Sequence, residues 1–368
     1  MKVLLLTTHM ETGGIPVYVI ELARRLKQDG HRPVVVSDGG SLERRLAQEG
    51  IPFHRVPCRT SSELNPRLWL RVFPRLLAIV RRERPDLLHA HTRVTQVLAW
   101  AAHRLTGIPF VTTCHGLYRL RLGRRYFRCW GRWVMAISKP TLQRLVTQYR
   151  LAPPHQAILI WNGIDVGRFS ERPRPEEVER FRQANGLRGG PVIGAIARLS
   201  PVKGLDLLLK VTPSLLKDFP GLQVLLVGDG PAREELVRLA YDLGIADRVV
   251  ISHPVEDTRV PLATLRAFVA PAWREGFGLA IVEAMAAGVP VVATDAGGPS
   301  EIIRDGVSGF LMSPGDSVTL ERTLRTLLQD EAVRERVIER AREEAAARFN
   351  LDRVVQEVEG VYARAIAS

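Results

Sequence analysis

Two glutamates with seven residues between them, Glu275 and Glu283, frame the segment whose residue types and spacing speak most directly of chemistry. Gly276, Phe277 and Gly278 precede an apolar run from Leu279, which predicts a helix starting beside the first carboxylate. The first N–H groups of a helix lack intrahelical acceptors and lie at its positive end, so this turn predicts an anion site flanked by carboxylates. Glu275 there offers an acceptor for sugar hydroxyls. Glu283 falls mid-helix among Ile281, Val282, Ala284 and Met285, where burying a carboxylate is costly unless it accepts hydrogen bonds. A ribose diol would donate them, whereas a solvent-facing Glu283 would need none.

Arg198-Leu199-Ser200-Pro201-Val202-Lys203-Gly204 directly follows a strand pattern at Val192 to Ile196. Two cations on a loop at a strand's carboxyl end suit a diphosphate leaving group that gains charge as its bond to a sugar breaks, although two surface cations have the same local pattern. Gly13-Gly14, in the turn after the first strand, allows a phosphate or substrate to approach the backbone closely. No Asp-x-Asp occurs, so a divalent metal has no obvious ligand pair. Cys58, Cys114 and Cys129 fit neither zinc nor disulfide spacing and read as isolated buried thiols, which suits a reducing compartment. No metal and no cofactor is expected.

The segment Leu117 to Arg132 holds six arginines, four aromatics and no acid. Arg121, Arg124, Arg125, Tyr126, Phe127 and Arg128 form its densest part. Cations beside apolar rings suit a segment seated in anionic headgroups, and a solvated basic helix with a core-facing aromatic stripe gives the same composition. Net charge is +13, but residues 1–167 carry 26 Lys/Arg against 10 Asp/Glu, and residues 168–368 carry 26 against 29. The basic half attracts phosphates, nucleic acid or an anionic membrane. Only six of the 52 basic residues are lysine, so base composition of the genome is an alternative source of the arginine excess.

At 368 residues with 46% hydrophobic content, the chain predicts two globular domains. Short apolar strands alternate with helical periodicity from Val3 to Thr141, and again from Val192 to Ala293. The breaker-rich stretch from Asn162 to Pro175 reads as the linker. The expected fold is α/β, with two Rossmann-like domains whose parallel sheets face one another across a cleft. The expected domains are 1–167 and 168–350, with the C-terminal helix 351–368 packing back on the first. The N-terminal apolar run is too short for a signal peptide and no stretch of about 18 apolar residues exists, so a cytoplasmic protein is expected, peripheral at the plasma membrane's inner face if the basic segment binds lipid.

In this order the motifs resemble retaining glycosyltransferases of family 4, the group 1 glycosyltransferases of the GT-B fold. The resemblance is collinear from Met1 to about Asp316. It runs through Thr12-Gly13-Gly14, Asp86 to His91, Thr113-Cys114-His115-Gly116, Ala136-Ile137-Ser138, Asn162-Gly163-Ile164-Asp165, Arg198 with Lys203-Gly204, Gly228-Asp229-Gly230-Pro231, Glu275 to Glu283, and Ala296 to Phe310. It implies that the first domain binds an acceptor and the second a nucleotide-sugar linked through UDP or GDP. Arg198 and Lys203 would neutralise the donor diphosphate, Glu283 bind the ribose, and Glu275 position the donor sugar rather than act as a nucleophile. Backbone amides at Phe277, Gly278 and Leu279 would meet the phosphates, and Ser252 to Val255 would lie against the base. His115 would reach the sugar or acceptor, and Gly13 and Gly14 would approach the phosphates from the first domain. Two departures are Trp161, where the family often has proline, and Pro16, at a tolerated first-turn position.

The expected activity is therefore transfer of a sugar, with retention and without a metal, to a lipid-linked or cell-surface glycan precursor. Three rival readings are transfer to a small soluble acceptor, a non-hydrolysing sugar-nucleotide epimerase of the same fold, and a basic nucleic-acid-binding protein. The last lacks any recognition-helix, RRM or OB signature, so no nucleic-acid partner is expected.

Overall fold

The computed structural model describes residues 1–11, 13–60, 62–63, 65–117 and 122–367. It divides into two compact units, Met1–Gly163 with Leu351–Ser368, and Ile164–Asn350. Each is a parallel sheet covered by helices, so the fold is α/β.

In the first unit the strands are β1 (Lys2–Leu6), β2 (Arg32–Ser37), β3 (Phe53–Arg55), β4 (Leu87–Ala90), β5 (Phe110–Cys114), β6 (Trp133–Ala136) and β7 (Ala157–Leu159). Their order in the sheet is β3-β2-β1-β4-β5-β6-β7, and all pairs are parallel. Side chains alternate across a strand, and this sheet buries both faces. Val3, Leu5, Val35 and Leu87 enter one core with the helix Gly14–Gln28, while Leu4, Leu6, Val34, Val36 and Leu88 enter the other with the helices Phe73–Glu83 and Arg93–Thr106. The last helix, Leu351–Ala367, completes the first core by burying Val354, Val355, Val358, Val361, Tyr362 and Ala365.

The second unit has strands β8 (Val192–Ile196), β9 (Gln223–Val227), β10 (Val249–Ser252), β11 (Ala267–Ala270), β12 (Val291–Thr294) and β13 (Phe310–Met312), in the order β10-β9-β8-β11-β12-β13. In both sheets the winding reverses once, between β1 and β4 and between β8 and β11. Ligands of open parallel sheets bind outside the strands' carboxyl ends at such reversals. The loops that follow these strands are therefore the places to look.

Two local irregularities have clear causes. The helical segment before β4 begins as a π-helical turn, Leu68–Val72, and becomes regular only at Phe73. Pro74 has no N–H to give the carbonyl one turn earlier, which breaks the ladder there. β12 starts only at Val291 because Val289 still bonds back to Ala284 of the preceding helix, and Pro290 cannot donate. Among the described residues no helix is long and apolar enough to cross a membrane.

Candidate functional site

The reversal in the second sheet places two loops side by side. The first leaves β8, passes the exposed Arg198, and turns through Pro201–Lys203 into the helix Leu205–Asp218. The turn closes on Gly204, whose φ is +62°; a Cβ there would stand 2.2 Å from the Pro271 carbonyl oxygen. Only glycine lets this loop approach the one leaving β11. The Trp273 N–H donates to the Val202 carbonyl at 2.9 Å and fastens the two loops together.

The result is an ion pair between Lys203 Nζ and Glu275 Oε2, from residues 72 apart in sequence and largely shielded from solvent. Glu275 Oε1 accepts from the Gly276 N–H at 3.1 Å, and the Glu275 backbone is pinned by Ala296 and Gly298. Both Glu275 oxygens and its main chain are thus held in place. The helix Leu279–Ala287 starts at Gly278, which has φ +107° and no side-chain cap. Its first N–H groups are those without helical acceptors.

Phe277 is buried against Phe349, ring centroids 5.6 Å apart, so only its backbone is left to meet a ligand. Glu283 is buried, not solvent-facing, and its Oε2 accepts from Thr258 Oγ1 at 3.0 Å. Thr258 carries no sequence signal, because a lone threonine in a loop resembles any other. Ser252 ends β10 and its carbonyl accepts from the Gly228 N–H at 3.0 Å; Val255 packs on a small cluster with Leu187, Val192, Leu225 and Val227. Arg198 makes no ion pair or hydrogen bond among the described residues and is left as an exposed cation.

In the first unit, Gly13 and Gly14 begin the helix after β1, His91 follows β4, and His115 follows β5. One turn into that helix Tyr18 sets its ring edgewise against both His115, at 5.1 Å, and His91, at 5.8 Å. His91 Nδ1 and His115 Nε2 are 3.0 Å apart. Behind them His89 is fully buried, with Nδ1 2.7 Å from the Tyr362 hydroxyl and Nε2 2.7 Å from Thr113 Oγ1. Burial pushes His115 down to about 3 and holds His89 and His91 well below the usual 6.5, so all three rings are neutral at physiological pH. The same burial raises the Tyr18 hydroxyl. His89, His91, Tyr18 and Tyr362 had no role in the sequence reading. Only the His-x-His at the end of β4 gave any signal, and Tyr362 arrives from the far end of the chain.

Of the basic segment, Arg121 lies outside the described residues. Arg124, Arg125 and Tyr126 end the short helix Leu122–Tyr126, with Tyr126 78% exposed, and Arg128 is exposed. Phe127 is not presented outward: its ring meets Trp100 edgewise at 4.7 Å, and its carbonyl accepts from Arg93 at 3.0 Å. Cys129 and Trp130 are buried.

Residues 177–344 match the family described as glycosyl transferases group 1, and residues 12–168 match glycosyltransferase family 4. Among relatives, the D-inositol 3-phosphate glycosyltransferase of Frankia alni is 30% identical, with 89% of this chain and 88% of that one covered. The N-acetyl-alpha-D-glucosaminyl L-malate synthase of Bacillus anthracis is 26% identical over 97% of this chain and 95% of that one. Among solved structures, Alr3699/HepE of Anabaena in complex with UDP-glucose aligns with a TM-score of 0.87 at 25% identity, covering 99% of this chain and 100% of that one.

Proposed function

Because the chain belongs to the group 1 glycosyltransferases of family 4, of GT-B fold, and uses a nucleotide-sugar donor, we propose that its second unit binds that donor at the Arg198, Lys203 and Glu275 loops and that its first unit, with His115, holds the acceptor. The observation that carries this reading is the Lys203–Glu275 ion pair set against an uncapped helix start. Lys203, Arg198 and the amides of Gly278 and Leu279 offset the charge that grows on the departing diphosphate. Glu275 receives sugar hydroxyls, and Glu283, whose Oε2 also accepts from Thr258, receives those of the ribose. The donor base lies along Ser252 to Val255, and in the first unit Gly13 and Gly14 bind substrate through the backbone at a helix start. The base is uridine, supported by the UDP-glucose of the Anabaena neighbour. Positive groups and a helix end take the place of a metal, in keeping with a sequence without Asp-x-Asp. Glu275 already engages Lys203 and Gly276, which fits a positioning role and transfer with retention. The three cysteines, buried and free of disulfides, support a cytoplasmic setting.

The acceptor is anionic in this reading. The first unit carries 28 Lys/Arg against 12 Asp/Glu, and the names of the two relatives specify inositol phosphate and malate. A second reading, a lipid-linked glycan precursor at an anionic membrane, is favoured by the exposed Tyr126 beside Arg124, Arg125 and Arg128.

Nucleotide-sugars screened by thermal shift, then mass analysis of products from small anionic and lipid-linked acceptors, test both readings. The expected result is stabilisation by a UDP-sugar, its consumption only when an acceptor is added, retained anomeric configuration, and no loss in EDTA. Consumption without acceptor would instead indicate an epimerase. Pelleting with anionic but not zwitterionic liposomes, lost on replacing Arg124, Arg125 and Arg128 by serine, selects the membrane reading. UDP bound far from Arg198, Lys203 and Glu283 would overturn the site.

A further inference from the structure

The imidazoles in the first unit form an ordered chain whose proton positions follow from what each nitrogen touches. His91 and His115 are both neutral, so each ring carries one N–H. They share a hydrogen bond, His91 Nδ1 to His115 Nε2, and one of the two must donate. The other nitrogen of His91, Nε2, is buried and touches no hydrogen-bonding partner. An N–H there would be an orphaned buried donor, a costlier arrangement than an unused lone pair. The proton of His91 therefore belongs on Nδ1, which donates to His115 Nε2. That leaves the single proton of His115 on Nδ1, the nitrogen with no partner among the described residues, on a ring that is only half-buried.

We propose that His91 is a positioning residue that fixes His115 as the Nδ1–H tautomer, so that His115 meets an oxygen of its substrate as a neutral hydrogen-bond donor and not as a general base. The substrate contact rests on the site reading above; the tautomer does not. His89 supports the arrangement from behind. Its ring lies against His91, tilted by 40° with centroids 4.0 Å apart, and its own nitrogens are both occupied, by Tyr362 and Thr113. It offers no hydrogen-bonding partner to His91 Nε2. Tyr18 stands edgewise to the His91 and His115 rings. Which tautomer a histidine adopts is set by the bond its other nitrogen makes, and here that bond is supplied by a second histidine.

The test is nitrogen NMR on the full chain labelled at histidine, with the His115 signals assigned by their loss in His115→Gln. The expected result is a protonated, pyrrole-type Nδ1 and an unprotonated, pyridine-type Nε2 on His115 without any ligand. In His91→Ala that signature is lost and kcat/KM falls about tenfold, the scale of one hydrogen bond. In His91→Asn an amide N–H stands near the place of Nδ1, and both the signature and most of the activity return. A protonated Nε2 on wild-type His115, or an unchanged signature in His91→Ala, overturns the proposal without needing any variant to be active. If the signature is as expected but His115→Ala transfers sugar at the wild-type rate, the tautomer stands and the substrate contact of His115 falls.

Discussion

In the second unit Lys203 and Glu275 meet as opposite charges beside a helix start, whereas in the first unit His89, His91 and His115 lie together as neutral rings among Tyr18, Thr113 and Tyr362. The first arrangement stores charge near the surface, where a phosphate can exchange with it. The second removes charge and holds direction, since each ring is useful only in one tautomer. The two places answer different needs: one offsets charge on a leaving group, the other orients a donor. They should therefore fail differently when pH, charge or a single hydroxyl is altered.

Acid is the harshest way to break the comparison. The folded-state pKa of His115 is depressed from 6.5 to about 3, and those of His89 and His91 are depressed by burial as well. Below pH 6.5 the unfolded chain takes up protons that these rings refuse, so stability present at neutral pH is lost as pH falls toward the folded values. The slope is about 1.4 kcal/mol per pH unit for each ring. Between pH 7.5 and 5 the first unit should lose several kcal/mol by this linkage. Thermal unfolding followed in each unit separately should show the first melting earlier at pH 5, with the second nearly unmoved. Equal shifts in both would mean that the histidine rings are not the groups responsible.

Next in size is Lys203→Ala. Losing a cation aimed at a developing diphosphate charge costs about 100- to 1,000-fold in kcat, the scale seen for a single preorganised donor. The fold should be unaffected, because Lys203 sits on a loop whose geometry depends on Gly204 and on backbone bonds to Trp273. Transfer within threefold of wild type would remove Lys203 from the donor site.

The same contrast explains what could be read in advance. The parallel sheets were legible because Val3 to Leu6, Val192 to Ile196 and Gln223 to Val227 are short apolar runs followed by helical periodicity. β3, β7 and β13 were not, since each is three residues at a sheet edge and carries no period. The carboxylate half of the charged site is local in sequence: Glu275, a glycine turn, a helix start and Glu283 fall within nine residues, and only the meeting of Glu275 with Lys203, 72 positions away, is not. The neutral site is assembled from the ends of β1, β4 and β5 and from a helix that returns after the second unit, with His89 and Tyr362 separated by 273 positions. No window of sequence contains it. Glu283 lies between these cases, because its carboxylate was visible but its burial depended on Thr258 from another loop.

Tyr362→Phe probes the neutral site by one oxygen. His89 Nδ1 loses its partner while ring packing is preserved, and the cost should be about 1–3 kcal/mol, that of an unsatisfied buried polar group. Urea unfolding would measure it, and UDP affinity should stay at the wild-type value because the change is confined to the first unit. A fall in UDP affinity to match the lost stability would show that the two units are not separable in this way.

Glu275→Gln gives the smallest effect and the finest separation. In the wild type, Glu275 neutralises Lys203, so an incoming diphosphate must share or displace that carboxylate. The amide keeps the size of the side chain and removes its charge, freeing Lys203 for phosphate. UDP should then bind as well as to wild type or up to about threefold more tightly, a gain within the 0.2–1 kcal/mol typical of partly exposed ion pairs. Transfer should fall about tenfold, because a neutral amide holds sugar hydroxyls less firmly than a carboxylate does. Calorimetry with UDP alone and initial rates with the full donor read the two quantities separately. If both fall together, the carboxylate acts mainly by holding the loop that carries Lys203, and its contact with the sugar is not needed to explain the loss.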